Sequence, residues 1–555
     1  MSRSPAAGQA RRMTEREVSP ADAAPVLVVG AGPVGATVAL ELAHHGVRSI
    51  VVDRARGASR HPKMDFVNAR SMELLRRLGL TDDIRARGVP GDQAFNFFWM
   101  RSFAEPPVAE WRYLSVDTLR EEMARTNDGS LPREPYQRIV GSMLEQLGRD
   151  RCAAAELVDL REGWTFQGLR QDAEGVTADV LVDGRTRTIR ARYLVGCDGA
   201  NSAVRSAVGI GVDEYGPQRH HVISYFRSAD PALTRYGRFF LANTTLGLTL
   251  VSRDGDATWT ATFPLADGEQ STGDPLPVIR QRLGVDIAVD ELINVAQWRG
   301  RFGVARRYRA GRVFLAGDSA HQFFPTGGHG ANTGIADAVD IGWKLAAVLD
   351  GWGGPGLLDS YEAERRPVAL FNREMSFNLL EVWRRFPQLA AEGAGRPQLA
   401  GFLRQDGYQI NNIGIHCGYR YRDSPVICHE DGEEPAWEWG RIVPTTWPGG
   451  RAPSVRLADR TELYDLLGPG LTLLDFSGSQ AGKPIAQEAQ RLGVPLAHLA
   501  VDDEGSRTVW ERDLVLVRPD QHVAWRGNEP PDDCAGVLDR VCGRHPDRSV
   551  SPRPR

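Results

Sequence analysis

Pro25-Val26-Leu27-Val28-Val29-Gly30-Ala31-Gly32-Pro33-Val34-Gly35 is the stretch on which the fold turns. Residues 25–29 form a short apolar run, suited to a strand buried on both faces of a parallel sheet. Gly30 ends the run and permits a tight turn. Gly32 lets backbone approach a pyrophosphate, and Gly35 lets the next helix pack on the strand. The pattern predicts that helix over residues 34–45, with its N-terminal amides and positive dipole end aimed at phosphate. A second strand, Ser49 to Val52, runs into Asp53. That acid lies about 20 residues past the glycines, where a carboxylate bonds a ribose hydroxyl. Strand, turn, helix, strand and acid predict a dinucleotide-binding unit, with Gly30, Gly32, Val34, Gly35 and Asp53 at the ligand. Gly351-Trp352-Gly353-Gly354-Pro355-Gly356 matches the same glycine pattern. No strand precedes it, so it reads as a loop.

Length and composition bound the rest. A chain of 555 residues holds two or three domains. The formal charge of −4 and the absence of a basic stripe argue against nucleic acid. No apolar run approaches the length of a membrane span. The six cysteines (152, 197, 417, 428, 534 and 542) show neither CxxC nor metal-ligand spacing. They read as reduced thiols of a cytoplasmic protein, and no metal site is expected. Lysine occurs only at 63, 344 and 483, which singles out Lys63. Residues 1–24 are polar and Ala-rich without an apolar core, and read as a disordered leader.

Farther along, residues 71–80 read as a short amphipathic helix ending at Gly79. A hairpin is expected around Asp183-Gly184, and its second arm leads through Tyr193-Leu194-Val195-Gly196 to Asp198. Residues 215–300 are rich in alternating β-branched and aromatic residues, as in Thr258 to Phe263, and predict a sheet. Residues 311–316 predict a buried strand that delivers Asp318. Helices are expected over 335–349 and around 360–385. An irregular Gly/Pro-rich segment then runs to about residue 455. A new α/β pattern follows, with strands at 471–475, 514–517 and 522–525.

Three motifs occur in one order: Gly30 to Gly35, then Asp198-Gly199, then Gly317-Asp318-Ser319-Ala320-His321. Together they resemble the class A FAD-dependent aromatic hydroxylases, single-component flavoprotein monooxygenases, over about residues 25–370. The C-terminal third resembles the phenol-hydroxylase branch, which includes aromatic polyketide hydroxylases, through Pro448 to Pro453 and Val523 to Arg526. The resemblance implies an α/β fold with an FAD-binding Rossmann-like domain in two parts, 25–195 and 311–400. Early substrate-domain segments fall within the first part. An inserted β-sheet substrate domain lies mainly at 196–310. A connecting segment, 401–456, leads to a thioredoxin-like domain at 457–555 that lacks a redox CxxC. The resemblance also implies FAD as cofactor, NAD(P)H and O2 as co-substrates, and a small aromatic substrate.

The resemblance assigns further site residues. In the family a basic residue in this stretch contacts the ADP portion of FAD. Lys63, in Arg60-His61-Pro62-Lys63, matches it best, and Arg54 lies beside the ribose acid. Solvated surface charge is the alternative for both. Gln137 resembles a glutamine near the ribityl-phosphate region, where a side chain that donates and accepts is useful. Asp198 belongs to a segment near FAD and the NAD(P)H route, and it caps its own turn under either reading. Asp318 matches an acid that bonds a ribityl hydroxyl. Pro325, Gly330, Ala331 and Asn332 lie in a glycine-rich segment that approaches the isoalloxazine ring. Helix-start amides there would stabilise negative charge on reduced flavin. Many members carry Gln where this chain has His329, a difference that alters either flavin electronics or the packing of the loop, with packing favoured.

The implied reaction is hydroxylation of a phenolic or polycyclic ring through a flavin C4a-hydroperoxide. Baeyer–Villiger or ring-opening oxygenation, and a non-catalytic flavin sensor, stay open as alternatives. No catalytic base is named. Tyr225, His220, His221 and Arg227 fall in the expected sheet, where packing or surface roles are favoured. The run Phe95 to Met100 either lines a substrate cavity or fills a core. An Arg-rich, Lys-poor composition fits a GC-rich genome, where polyketide tailoring enzymes are frequent, and by that association leans toward a larger aromatic substrate.

Overall fold

The computed structural model describes residues 19–59, 64–265, 273–405 and 412–544. Strand β1 (Ala23–Val29), helix α1 (Pro33–His44) and strand β2 (Ser49–Asp53) follow in succession. β1 runs parallel to β2 on one side and to the strand Arg185–Gly196 on the other. Val313–Leu315 extends the sheet beyond Arg185–Gly196, again in parallel. Parallel strands deliver their C-terminal loops to one edge. Motifs that lie far apart in sequence therefore converge: β1 ends at Gly30, Arg185–Gly196 ends before Asp198, and Val313–Leu315 ends before Asp318. Val26, Leu27 and Val28 are fully buried, as an apolar run with helices on both faces requires.

Ala23 and Ala24 correct the expected leader. Both belong to β1 and pair with Arg190 and Ala191. The hairpin forms as expected. Val176–Val182 pairs antiparallel with Arg185–Gly196, and Asp183 and Gly184 both take positive φ (46° and 74°), as a two-residue primed turn requires.

A second sheet of eight strands lies against the first unit. In spatial order its strands are His321–Gln322, Glu291–Ala305, Val212–Arg227, Thr258–Pro264, Thr249–Ser252, Leu241–Thr244, Phe97–Met100 and Ala109–Trp111. Neighbours are antiparallel except Leu241–Thr244 beside Phe97–Met100. One face of this sheet buries Phe226, Phe239, Leu250, Trp259 and Ile279 in a core of its own.

The helix expected from residue 335 begins earlier and spans His329–Leu349. Its first turn reads poorly as helix because it contains glycine and asparagine. Tertiary bonds fix it instead. The Asn332 side chain accepts from the Asn68 amide at 2.9 Å and donates to the Phe66 carbonyl at 3.0 Å. The segment around 360–385 is one helix, Pro355–Ala391, with Pro367 and Pro387 inside it. Proline normally ends a helix, which is why the sequence reads as shorter.

A four-stranded mixed sheet (order Leu496–Ala500, Leu471–Asp475, Leu514–Val517, Val523–Gly527) forms the thioredoxin-like end of the chain. It docks through fully buried charge. Arg518 donates to Glu364 (2.6 and 2.8 Å), Asp340 (3.2 Å) and Asp520 (2.6 Å). Lys344 donates to Asp340 (2.8 Å) and Glu364 (2.6 Å). Among the described residues, no helix is long and apolar enough to cross a membrane.

Candidate functional site

One cavity of about 2200 Å3 reaches from the strand ends of the first sheet to the inner face of the second. The glycines at its entrance do three different jobs. Gly30 has φ of 107°, and a Cβ there would lie 2.3 Å from the Cys197 carbonyl oxygen. A Cβ on Gly35 would lie 1.9 Å from the Gly30 carbonyl oxygen, so α1 can seat on the turn only with glycine there. A Cβ on Gly32 would meet nothing within 4 Å. Its space opens into the cavity.

Two helix starts face this space. α1 begins after Gly32, with no side chain capping its first amides. His329–Leu349 begins after Gly328, also uncapped, and Gly330, Ala331 and Asn332 of its first turn line the wall. Gly327 and Gly328 take positive φ (79° and 67°), which lets the chain turn sharply at the cavity wall. Uncapped helix starts favour anionic groups.

Asp53 stands at the end of β2. Its carboxylate accepts from the Ala31 and Ala55 amides at 2.7 Å each and pairs with Arg149 at 3.2 Å. Asp198 is a helix cap: it accepts from the Ala203 and Val204 amides at 2.7 and 3.1 Å and from Ser202 Oγ at 2.5 Å. Arg205 then ties two motifs together, donating to the Ser319 carbonyl (2.8 Å) and the Ala200 carbonyl (3.1 Å). Asp318 is exposed to the cavity, in the short turn Gly317–Ser319. Val34 fits between Gly317 and Gly334, where Cβ atoms would come within 2.9 and 2.6 Å of it.

Beneath the floor lies a buried triad. His321 Nε2 donates to Asp337 at 2.7 Å, and Arg365 Nε donates to the other oxygen at 2.8 Å. Burial alone would raise the Asp337 pKa, but His321 and Arg365 hold it below the usual range.

The inner face of the second sheet supplies an aromatic wall. Phe95 stacks on Phe240 with ring centres 4.9 Å apart, and Phe97, Tyr113 and Tyr136 complete the group. At the far end of the same sheet, His221 stacks on Trp298 at 4.8 Å, with Phe324 edge-on at 5.1 Å. Burial pushes the His221 pKa down to about 4, so this ring is neutral. The run Phe95 to Met100 is divided: Phe95 and Phe97 line the cavity, while Phe98, Trp99 and Met100 are buried away from it.

Gly30, Gly32, Val34, Asp53, Arg54, Asp198, Asp318, Pro325, Gly330, Ala331 and Asn332 all line this one cavity. Gly35 lies behind the turn. Gln137 is not on the wall. Its amide donates to the Val89 and Arg138 carbonyls at 2.8 and 3.0 Å, and its oxygen accepts from Arg85 at 3.0 Å. Lys63, with Arg60 and His61, lies outside the described residues. Of the polar residues noted in the second sheet, His221 reaches the cavity, while His220 accepts from Arg299 at 3.1 Å instead. Sequence reasoning missed Tyr113, Phe240, Arg253 and His416. They come from four separate segments, and no local pattern marks them.

The geometry fits a flavin dinucleotide: an open glycine, two uncapped helix starts and a carboxylate share one long cavity. Comparison with known proteins agrees. The FAD binding domain family matches residues 23–373, and the C-terminal family of aromatic-ring hydroxylases matches residues 445–545. An FAD-dependent monooxygenase, apdD of Emericella nidulans, is 32% identical over 94% of this chain and 89% of its own length. A putative polyketide hydroxylase of Streptomyces halstedii is 34% identical over 91% of this chain and 94% of its own. The flavin-dependent monooxygenase PieE, solved in complex with FAD and substrate, superposes with a TM-score of 0.84 at 30% identity, over 95% of this chain and 100% of that one. The chain therefore belongs to the FAD-dependent aromatic-ring hydroxylases, monooxygenases that use NAD(P)H and O2.

Proposed function

We propose that this enzyme hydroxylates a multi-ring aromatic molecule of the polyketide kind. The cavity carries the reading. Ligand pockets commonly measure about 300–1,000 Å3, and about 2200 Å3 leaves room for a flavin dinucleotide and a second flat ligand. The aromatic wall of Phe95, Phe97 and Phe240 suits a fused ring system, which buries large area against ring faces. The likeness to a polyketide hydroxylase supports the same class.

In this reading Gly30, Gly32 and Gly35 shape the turn on which the pyrophosphate rests. Asp53 takes a ribose hydroxyl, and Arg54 flanks the ADP portion. Asp198 holds its own loop in place, and Asp318 faces the ribityl chain. Pro325, Gly330, Ala331 and Asn332 present backbone to the isoalloxazine ring. Val34 packs α1 against the loop that carries Asp318. Gln137 supports the wall from behind. FAD supplies the redox chemistry when bound. The chain's own groups orient the ring system, exclude water and offer amide dipoles where negative charge collects. We also place the enzyme in the cytoplasm, a reading supported by six cysteines that form no disulfide.

The test is NADPH and NADH oxidation by the FAD-loaded enzyme, with and without a panel of monocyclic phenols and hydroxylated polycyclic aromatics. Stimulation by the polycyclic members, with a product richer by one oxygen, is expected. Stimulation by monocyclic phenols alone would overturn the substrate class. The ring structure of the product separates hydroxylation from ring-expanding insertion.

A further inference from the structure

The cavity continues past its aromatic wall. Tyr113 packs against Phe95 and Phe97, with ring centres 5.2 Å apart in each case. From there the chain runs through Leu114 into the helix Val116–Arg125. Leu114 lines the cavity, and its carbonyl accepts from the Tyr136 hydroxyl at 2.7 Å. The edge of the aromatic wall and the approach to this helix are thereby tied together.

The helix is amphipathic. Ser115 caps it, accepting from the Thr118 amide at 3.2 Å. Val116, Leu119 and Met123 recur at i, i+3 and i+7 on one face, while Asp117, Arg120, Glu121 and Arg125 are exposed. An apolar stripe of that spacing ordinarily faces a core. Here only Val116 is buried. Leu119 and Met123 are half-buried and line the cavity. Among the described residues, neither belongs to an apolar core.

The helix is a fixed wall. The Asp117 amide donates to the Gly91 carbonyl at 3.0 Å near one end. At the other end Arg456 Nη2 donates to the Ala124 carbonyl at 2.9 Å. The Asn127 side chain also exchanges two bonds with the Arg456 backbone, at 2.7 and 2.8 Å. The stripe is therefore held over open cavity, and a ligand that covers it removes apolar area from water.

Leu131, Pro132, Val443 and Pro444 line the same cavity. Their two segments meet: a Cβ on Gly129 would lie 3.1 Å from Pro444 Cβ. With Leu119 and Met123 they make a lining without an aromatic ring, unlike the wall of Phe95, Phe97 and Phe240. Ring faces suit a fused ring system, whereas aliphatic groups and an adaptable thioether suit a flexible chain. Continuity through Tyr113 and Leu114 names the occupant, because a ring system seated on the aromatic wall would send a substituent this way. A carboxylate on that substituent is a poor match. Glu122 and Asp128 share the lining, and Arg112 and Arg441 are already bonded to Glu110 and Glu438 at 2.8 and 2.6 Å.

We propose that this part of the cavity is a subsite for an uncharged aliphatic substituent of the aromatic substrate, with Leu119 and Met123 as specificity-determining residues. The proposal rests on the aromatic-substrate reading above.

The experiment uses FAD-loaded enzyme and the hydroxylated polycyclic aromatic that most stimulates NADPH oxidation. That parent is prepared with an unbranched alkyl chain, from methyl to hexyl, at each substitutable ring carbon in turn. Kd is read from the perturbation of flavin absorbance. At one ring position the wild-type Kd should fall about threefold for each added methylene. In L119W and M123W, which fill the space, the gain per methylene, referred to each variant's own parent compound, should fall close to one. M123Q, which adds a polar amide, should lower the gain without abolishing it. Flavin content and thermal melting check that each variant folds, any one folded variant suffices, and the wild-type series stands without them. A wild-type Kd that falls with chain length at no ring position, or a gain unchanged in the folded variants, would overturn the proposal. A panel in which no polycyclic aromatic stimulates NADPH oxidation would overturn the aromatic-substrate reading, and this inference with it.

Discussion

Gly32 and Gly35 stand three residues apart, yet a side chain at each should fail in a different way. A Cβ on Gly32 enters open cavity, whereas one on Gly35 meets the Gly30 carbonyl oxygen. Gly32→Val should therefore melt like the wild type without flavin but bind FAD at least about tenfold more weakly, since it fills the cradle. Gly35→Ala should destabilise the apoprotein itself by about 1–3 kcal/mol through overpacking. Melting of the apoproteins and FAD titration separate the two. Equal effects of both substitutions on apoprotein melting would contradict this division of roles.

The buried histidines set a second expectation at the same scale. Burial lowers His221, His329 and His522 to about 4. Unfolded histidine titrates near ~6.5. Between those values the unfolded chain binds more protons than the folded one, so lowering the pH favours unfolding. Stability should fall as pH drops from about 6.5 to about 4, by roughly 1–3 kcal/mol for each such ring. Urea melts across that window check it. His329→Gln should flatten the fall, and an unchanged slope would contradict the assignment.

The helix His329–Leu349 links three parts of the molecule. Its first turn lines the cavity, Asp337 anchors the turn that carries Asp318 through Gly317 (3.2 Å from the amide), and Asp340, itself paired with Lys344, meets Arg518 of the C-terminal domain. Three carboxylates there face two cations. Burial, with Glu364 and Asp520 nearby, pushes the Asp340 pKa up against the pull of Lys344 and Arg518. Arg518→Met would leave Asp340, Glu364 and Asp520 with Lys344 alone. Removing one partner from a buried ion network costs about 3–5 kcal/mol. A drop of that size in chemical denaturation is expected, and a variant as stable as wild type would show that the network does not hold the domains together. The sequence announces this helix only from Ile335, because its glycine and asparagine start is stabilised by contacts with Asn68 and Phe66, residues remote in the chain.

Across the whole molecule, what could be read in advance follows from how local each signal is. The strand-turn-helix of residues 25–53 declares itself, because apolar strand, glycine turn and acid are contiguous. The meeting of Gly30, Asp198 and Asp318 follows from parallel strands that end on one edge. The aromatic wall does not announce itself in this way. Phe95, Tyr113, Tyr136 and Phe240 become neighbours only through the pairing of Leu241–Thr244 with Phe97–Met100 and the fold around it. His416 arrives from a segment that reads as irregular. Gln137 shows the converse: its residue type suits a phosphate site, but backbone carbonyls behind the wall take both of its donor bonds.

Oxygen transfer from O2 to an aromatic ring is the defining act of the proposed enzyme. The most direct measurement incubates FAD-loaded enzyme, NADPH and the best-stimulating polycyclic hydroxyaromatic under heavy-isotope-labelled O2, followed by mass spectrometry of the product. One heavy oxygen atom per product molecule is expected, formed in step with NADPH consumed. Unlabelled product, or NADPH oxidation that no aromatic compound stimulates, would contradict it.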